Sequence, residues 1–522
     1  MNCDEKLKQV LTELYKHCHK EDPEKKAAQA LIFMRKNASE LCDISVRLLK
    51  GSTYKIKGYY MENDELSDIR GASMLISEVQ NNVLPKFLIG ETGFDPILYN
   101  GGGNLLALLP ADTDPDLAVK TEKKADEYLI TANSAYYLSE AFNLSDLLGE
   151  NYGELMAKIE NGLNERKKAK IVFDPEPVSG FVDSPFLDAT LKAVEINNSV
   201  DYCEKCRKRI ARYTRNGKKI CGGCLHKGFA GELQKSRYLS DYGKKTGTEV
   251  SVPKTFKDID SDHIAVVYAD GNNMGGIIQH ISTVAEMMDF SDFVKGTMEK
   301  IVFESLSECL ISSPEIVALG GDDVFLIIPG DKSVRFAVSL IEKYKDVFSK
   351  KFPDSGSTLS VGFSIIKPTT PIKVALEVAE DELSEAKKLV RENGGEGSLS
   401  FRVLTTYEGA ISERGKETMM PYSLECAKQV LEFSESISKQ QDIKTRVQNL
   451  NNAFDRAEAE EATLFLEYTN AKESERKKRI KLPDDLNGFK VNNGFYIRSG
   501  SYKNGQAGYI WNDLLYLMEF GK

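Results

Sequence analysis

Two thirteen-residue stretches, LYNGGGNLLALLP (98–110) and VALGGDDVFLIIP (317–329), align without a gap at a constant offset of 219 residues. Gly101 falls on Gly320, Gly102 on Gly321, Leu108 on Ile327 and Pro110 on Pro329. Each stretch is a pair of apolar runs around a glycine tip, the pattern of a β-hairpin with buried strands. A hairpin repeated at that separation confines the chain to two related units. The competing explanation is that Gly-rich hairpins look alike by chance.

The copies differ at the tip. The second carries Asp322 and Asp323 where the first has Gly103 and Asn104. Clustered carboxylates are costly unless they are paired or hold a cation, and Gly320 and Gly321 permit the tight turn. Upstream, HIAVVYADGNNMGGII (263–278) gives an apolar strand, Ile264 to Ala269, with Asp270 at its end. Gly271, Gly275 and Gly276 then form a loop before a helix, a cradle suited to phosphate. Strand, helices and hairpin in this order match a ferredoxin-like palm. Asp270, Asp322 and Asp323 are the candidate catalytic residues, converging on two metals. A donor set of oxygens without His or Cys suits magnesium or manganese bound with a nucleoside triphosphate. One metal would activate an attacking hydroxyl and both would stabilise the transferring phosphate. The plain alternative is a solvated Asp-rich turn. In the first copy a strand is expected at Tyr54 to Met61 and a helix at 68–79, with no clear equivalent of Asp270. That palm is expected to be structural, or to supply half of a composite nucleotide site.

Between the copies lies a metal pattern: Cys203-x-x-Cys206, fourteen residues, then Cys221-x-x-Cys224. Two such knuckles close one tetrahedral zinc; no thioredoxin-like pattern supports the redox alternative. The knuckles carry Lys205, Arg207, Lys208, Arg209, Arg212, Arg215, Lys218, Lys219 and Lys227. On a chain of net charge −10 that density fits either a local nucleic-acid surface or a solvated basic face.

The chain has 522 residues, enough for three or four domains. Its net charge argues against wholesale coating of nucleic acid. No signal peptide or membrane-spanning run is visible, and the other five cysteines have no framework spacing, so a cytoplasmic location and no membrane partner are expected. The expected organisation is α+β: a helical segment (1–40), a degenerate palm (41–170), a linker and zinc module (171–254), a metal-binding palm (255–410) and a helical C-terminal domain (411–522). Within the second palm, 357–365 reads as a strand and 372–390 as an amphipathic helix. Lys387 and Lys388 close that helix, as a solvated basic turn or as a triphosphate contact. Residues 488–508 read as a loop or hairpin, and Trp511 to Phe520 as a closing helix.

This order of parts resembles the large subunit of type III CRISPR effector complexes. ADGNNMG (269–275) is similar to the family's ADVDNMG, SEAKK (384–388) to its AK helix, MPYSLE (420–425) to its RPYTLE, and WNDLLYLMEF (511–520) to its terminal helix. The resemblance implies synthesis of cyclic oligoadenylate, or a related second messenger, from ATP in antiviral defence. Asp270, Asp322 and Asp323 would bind two metals, Gly271, Gly320 and Gly321 would shape the site, Asn273 would lie by the nucleotide and Lys387 would reach its triphosphate. The implied partners are guide RNA, target RNA and other effector subunits, or a second copy if the protein stands alone. Asn272 departs from the family's second Asp. The N-terminal nuclease domain of many members is not expected, since His17 and His19 lack an adjacent His-Asp pair. A non-catalytic scaffold subunit and a diguanylate cyclase are the competing functions. A diguanylate cyclase typically has an acid followed by Glu-Phe, where this chain has Asp322-Asp323-Val324.

Overall fold

The computed structural model describes residues 44–147, 151–169, 195–196, 200–233, 237–281, 284–353, 355–404, 418–440, 442–456, 459–472, 479–483, 486–492 and 495–521. The expected N-terminal helix, with His17 and His19, lies outside them. The chain divides into two compact units. One holds the residues up to Arg237 with Gly275–Thr297 and Leu319–Gly321; the other holds Tyr238–Met274, Met298–Ala318 and Asp322 onward.

The first unit is built on strands β1 (Ser45–Tyr54), β2 (Ile97–Gly101), β3 (Asn104–Pro110), β4 (Asn133–Leu138) and β5 (Phe142–Asn143). The order is β2-β3-β1-β4, with β5 also on β1, and the described pairings are antiparallel. Leu105, Ala107 and Leu109 of β3 face helices α1 (Leu66–Glu78) and α2 (Leu117–Leu129), in a core with Ala72, Leu75, Ala125 and Leu129. The alternate residues Leu106 and Leu108 face the other side, with Val46, Leu48 and Ile159 of α3 (Asn151–Ala169). A strand covered on both faces reads as a continuous apolar run, which is why this hairpin stood out.

The strand expected at Tyr54–Met61 is misplaced. The strand is Ser45–Tyr54, and Ile56–Tyr60 is a helical turn. Lys55 breaks the extended chain with φ 55°. Gly51 in mid-strand disguises β1 as a loop; the Tyr136 ring crosses it, 2.2 Å from where a Cβ would stand.

The four-cysteine module belongs to the same unit. It contains the sheet β6 (Glu195–Ile196), β7 (Tyr213–Arg215) and β8 (Lys218–Ile220), followed by helix α4 (Gly222–Leu233). Helices α4 and α1 cross at glycines. A Cβ on Gly71 would lie 1.7 Å from the Lys227 carbonyl oxygen, and one on Gly231 1.8 Å from that of Ser67.

The second palm's sheet carries β9 (Ile264–Asn272), β10 (Glu315–Gly320), β11 (Asp323–Pro329), β12 (Thr358–Ile366), β13 (Ser398–Val403) and β14 (Tyr422–Ser423), in the order β10-β11-β9-β12-β13-β14. Helix α5 (Val284–Glu308) follows β9 in the chain, α6 (Ser333–Lys351) precedes β12, and α7 (Ile372–Asn393) makes the crossover to β13, which runs parallel to β12. Gly362 lets α7 lie on the sheet, since a Cβ there would be 2.1 Å from the Leu383 nitrogen. Helix α7 continues to Asn393, so Lys387 and Lys388 sit within it rather than at its end. The C-terminal part combines α8 (Leu424–Ser438), α9 (Ile443–Arg456), the sheet β15 (Phe489–Asn492), β16 (Phe495–Arg498) and β17 (Ala507–Gly508), and α10 (Trp511–Phe520).

The repeat is structural. The order β2-β3-β1-β4 and the order β10-β11-β9-β12 are one ferredoxin-like arrangement used twice. Strand ends keep the offset: β2 stops at Gly101 and β10 at Gly320, while β3 spans Asn104–Pro110 and β11 Asp323–Pro329.

Candidate active site

Strands β9 and β11 are antiparallel, with Val324 opposite Ala269 and Phe325 opposite Tyr268. One further step along this register sets Asp323 opposite Asp270. The Tyr268 hydroxyl donates to Asp323 Oδ1 at 3.3 Å. Gly321 turns the hairpin at φ 64°. Asp322 follows it and lies against Gly271, where a Cβ would be 3.0 Å from Asp322 Oδ2. Glycine at 271 therefore makes the approach of Asp322 to the end of β9 possible.

Burial, then the neighbouring charges of Asp270 and Asp323, push the Asp322 carboxyl up to about 7. Lys387 reaches in from α7, with Nζ 2.5 Å from Asp270 Oδ2. Lys388 turns away to Glu385 at 2.6 Å. The structure thus separates two lysines that look equivalent in sequence.

Asn273 adopts φ 59° and donates to the Ser355 carbonyl at 2.6 Å. This bond ties the turn after β9 to the segment before β12. Asn272 donates to Thr358 Oγ1 and Ser360 Oγ, both at 2.9 Å. Ser360 Oγ then meets Ser398 Oγ at 2.9 Å, and Ser398 donates to the Ala386 carbonyl at 2.8 Å. A chain of small polar groups runs from Asn272 to the backbone residue before Lys387. Tyr344 adds support: its ring stacks on Phe348 at 3.9 Å, and its hydroxyl meets Ser357 Oγ at 2.8 Å. Tyr268, Ser360 and Tyr344 had no distinguishing signal in the sequence, being ordinary residues of strands and a helix.

The first palm lacks these acids for visible reasons. Ser52 of β1 pairs with Asn104, which takes the place of Asp323, so Ser52 stands where the second palm has Asp270. Gly103 is at φ 85°, and a Cβ there would be 2.7 Å from the Ile56 side chain and 2.9 Å from the Thr53 carbonyl oxygen. No aspartate fits at that tip without rearrangement.

Cys203, Cys206, Cys221 and Cys224 are buried and place their sulfurs within 4.8 Å of one another. Cys206 and Cys221 sulfurs are 3.8 Å apart, close to the ~3.8 Å edge of a tetrahedron with metal–sulfur bonds of about 2.3 Å. Hydrogen bonds from Cys203, Cys221 and Cys224 hold the Cys206 thiol far below its ordinary range. Asn63 of the first palm donates to Cys224 Sγ at 3.7 Å. This donor set fits a closed structural zinc. Among the described residues it is the only group of three or more His, Cys, Asp or Glu with ligand atoms this close. The three aspartates converge less tightly. They still fit a magnesium- or manganese-type site, being oxygen donors close to the hairpin tip, with the Asp322 carboxyl raised by burial and by the two other acids.

The basic residues of the module do not form one open face. Lys205 pairs with Asp68 and Glu65, both at 2.8 Å, and Lys218 with Glu65 at 3.1 Å. Arg209 and Lys227 grip Glu62 at 2.6 and 2.5 Å. Burial opposes charge on Glu62, but those two cations hold its carboxyl below the ordinary range. Arg215 pairs with Glu232 at 2.7 Å and Lys219 with Asp201 at 2.5 Å. Six of the nine cations are thus engaged within the unit, several of them docking the module on the first palm.

A duplicated ferredoxin-like palm with a four-cysteine module between its copies defines a two-palm protein. Residues 263–394 match the family model for Cas10/Cmr2, second palm domain. The chain's fold is similar to that of Csm1 in T. onnurineus at 13% identity, covering 95% of this chain and 73% of that one, with a TM-score of 0.59. The Csm1–Csm4 cassette in complex with pppApApA is similar at 13% identity, 95% and 73% coverage and a TM-score of 0.57. The cassette in complex with AMPPNP is similar at 12% identity, 83% and 65% coverage and a TM-score of 0.53. This chain spans just under two thirds of the chain it matches in the AMPPNP and pppApA complexes, 65% and 66%. No curated protein sequence matches it significantly. Among the described residues no helix is long and apolar enough to cross a membrane.

Proposed function

We propose that the second palm is a metal-dependent nucleotidyltransferase that links nucleoside triphosphates into oligonucleotide second messengers, with cyclic oligoadenylate from ATP as the leading product. The observation that carries this reading is the convergence of Asp270, Asp322 and Asp323 at one sheet end beside Lys387. Similar folds support it: the matched Csm1–Csm4 structures include complexes with AMPPNP, one ATP and cA4. Antiviral defence, magnesium or manganese at the aspartates, zinc at the cysteines, and partnership with RNA-guided effector subunits belong to the same proposal.

In this reading the 3′-hydroxyl of one nucleotide attacks the α-phosphate of another. A P–O bond forms, the bond to the β-phosphate breaks, and pyrophosphate leaves with the hydroxyl proton lost to solvent. Metals held by Asp270, Asp322 and Asp323 would neutralise the developing charge. Lys387 exchanges its carboxylate partner for the triphosphate. Tyr268 fixes the Asp323 carboxylate, and Asn272 with Ser360 stiffens the strand ends, so positioning is paid for during folding rather than during reaction.

The ion pair of Lys387 with Asp270 favours a second reading, a scaffold subunit with a silent site. The discriminating experiment incubates the purified chain with ATP, GTP, CTP or UTP, and their mixture, plus magnesium or manganese, with and without RNA. Products are read by mass spectrometry beside Asp322→Ala/Asp323→Ala. Oligonucleotides that vanish in the variant establish the synthase, whereas no product under any condition favours the scaffold.

A further inference from the structure

Of the nine cations of the zinc knuckles, the three that enter no ion pair among the described residues, Arg207, Lys208 and Arg212, lie close together in the chain. Backbone bonds from Cys203 N to Arg209 O and from Ala211 N to Asp201 O, both under 2.9 Å at 2.7 and 2.8 Å, zip residues 201–203 against 209–211. Tyr202 stands opposite Ile210. In extended chain, side chains alternate between faces. Cys203 and Ala211 point inward and are fully buried, while Tyr202 is 68% and Ile210 41% exposed. Lys208 and Arg212 fall on the exposed positions either side of Ile210, and Arg207 sits at the knuckle turn with φ 55°. Among the described residues, Tyr202 makes no ring contact or side-chain hydrogen bond, and Arg207, Lys208 and Arg212 have no ion-pair partner. The nearest acids are already engaged: Asp201 holds Lys219, and Glu204 accepts from the Lys219 backbone at 2.9 Å.

We propose that this face of the four-cysteine module is a binding platform for single-stranded nucleic acid, with Tyr202 as the stacking surface for a base and Arg207, Lys208 and Arg212 as its phosphate contacts. An aromatic face beside cations is the arrangement that binds single strands without reading sequence. The charge argues for a polyanion: these cations stay open on a chain of net charge −10, whose other knuckle cations are paired. A duplex would not fit the same role, because its bases are already stacked and cannot cover Tyr202.

The test is fluorescence anisotropy with the full zinc-loaded chain and labelled 20-nucleotide rU and dT strands, repeated at two salt concentrations. Tyr202→Ala is expected to weaken binding about fivefold or more, and Tyr202→Phe to leave it intact. Lys208→Glu/Arg212→Glu is expected to weaken it further and to flatten the salt dependence by roughly one to two units of log–log slope. Zinc content confirms that each variant keeps the module folded. Asp322→Ala/Asp323→Ala is expected to bind like the wild type, which separates this platform from the nucleotide chemistry. A preference for rU or for dT would identify the source of the strand. Wild-type affinity in Tyr202→Ala, no binding by the wild type at low salt, or equal competition by an acidic peptide would overturn the proposal.

Discussion

Lys387 Nζ lies 2.5 Å from Asp270 Oδ2, so an ammonium stands where a divalent cation would be needed. Removing that lysine has two opposite effects. Lys387→Met frees Asp270, and manganese affinity measured calorimetrically is expected to rise up to about fivefold, the worth of a half-exposed ion pair. ATP turnover is expected to fall at least tenfold, since a charge-assisted contact to the triphosphate is lost. Affinity and turnover moving together would contradict the dual role.

The Asp322 carboxyl titrates near 7 because burial and its acidic neighbours oppose its charge. Its folded-state value is raised above the unfolded one, near 4. The folded chain is therefore most favoured with Asp322 protonated, and that advantage is lost as pH rises through 7. Without metal, Asp322→Asn should be more thermostable than wild type at pH 8.5, by about 1–3 kcal/mol after allowing for partial exposure. The difference should shrink towards pH 4. Magnesium should reverse the order at high pH, and differential scanning calorimetry reads all three outcomes.

Glu385 shows the opposite sign. Burial works against its charge, but hydrogen bonds from Lys388, Lys503 and Tyr502 draw its carboxyl down to about 2. Its stabilising contribution is fully present above the unfolded value near 4.5 and is lost as pH falls through 2. Tyr502→Phe removes one donor, at 2.6 Å, and is expected to raise the acid-unfolding midpoint of the hairpin region, followed by hydrogen exchange on residues 495–508.

At the crossing of α1 and α4, Gly71→Ala would bring a methyl within 1.7 Å of a backbone oxygen. The helices must part, at a cost of about 1–3 kcal/mol. Denaturant unfolding should show this loss, and zinc should be released at a lower denaturant concentration. Cys221→Ser should abolish stoichiometric zinc and lower the unfolding midpoint of the same unit.

Much of this was legible in the residues. The hairpin tips and the cysteine pairs are local patterns, and they emerge where the sequence implies, whereas Asp270 and Gly271, expected just past a strand, lie inside β9 and pair with Ser360 and Leu359 of β12. Strand β1 was hidden because Gly51 looked like a turn residue and only the Tyr136 ring above it explains it. The pairing of the knuckle cations was hidden as well. The partners of four of them, Glu62, Glu65 and Asp68, lie 137 to 165 residues upstream in the chain, a distance that composition cannot see. Asn273 was legible only through its family-like motif, and the hydrogen bond of its amide to the Ser355 carbonyl could not be read from the sequence.

Ser52 in the place of Asp270, and Gly103 walled in by Ile56 and Thr53, together make the loss of acids at the first palm's tip hard to reverse. Restoring its acids would need changes at Ser52, Gly103 and Asn104, and also relocation of the turn that carries Ile56. The two halves of the duplication are therefore no longer interchangeable: one has lost the aspartates at its tip and packs against the cysteine module, while the other keeps all three.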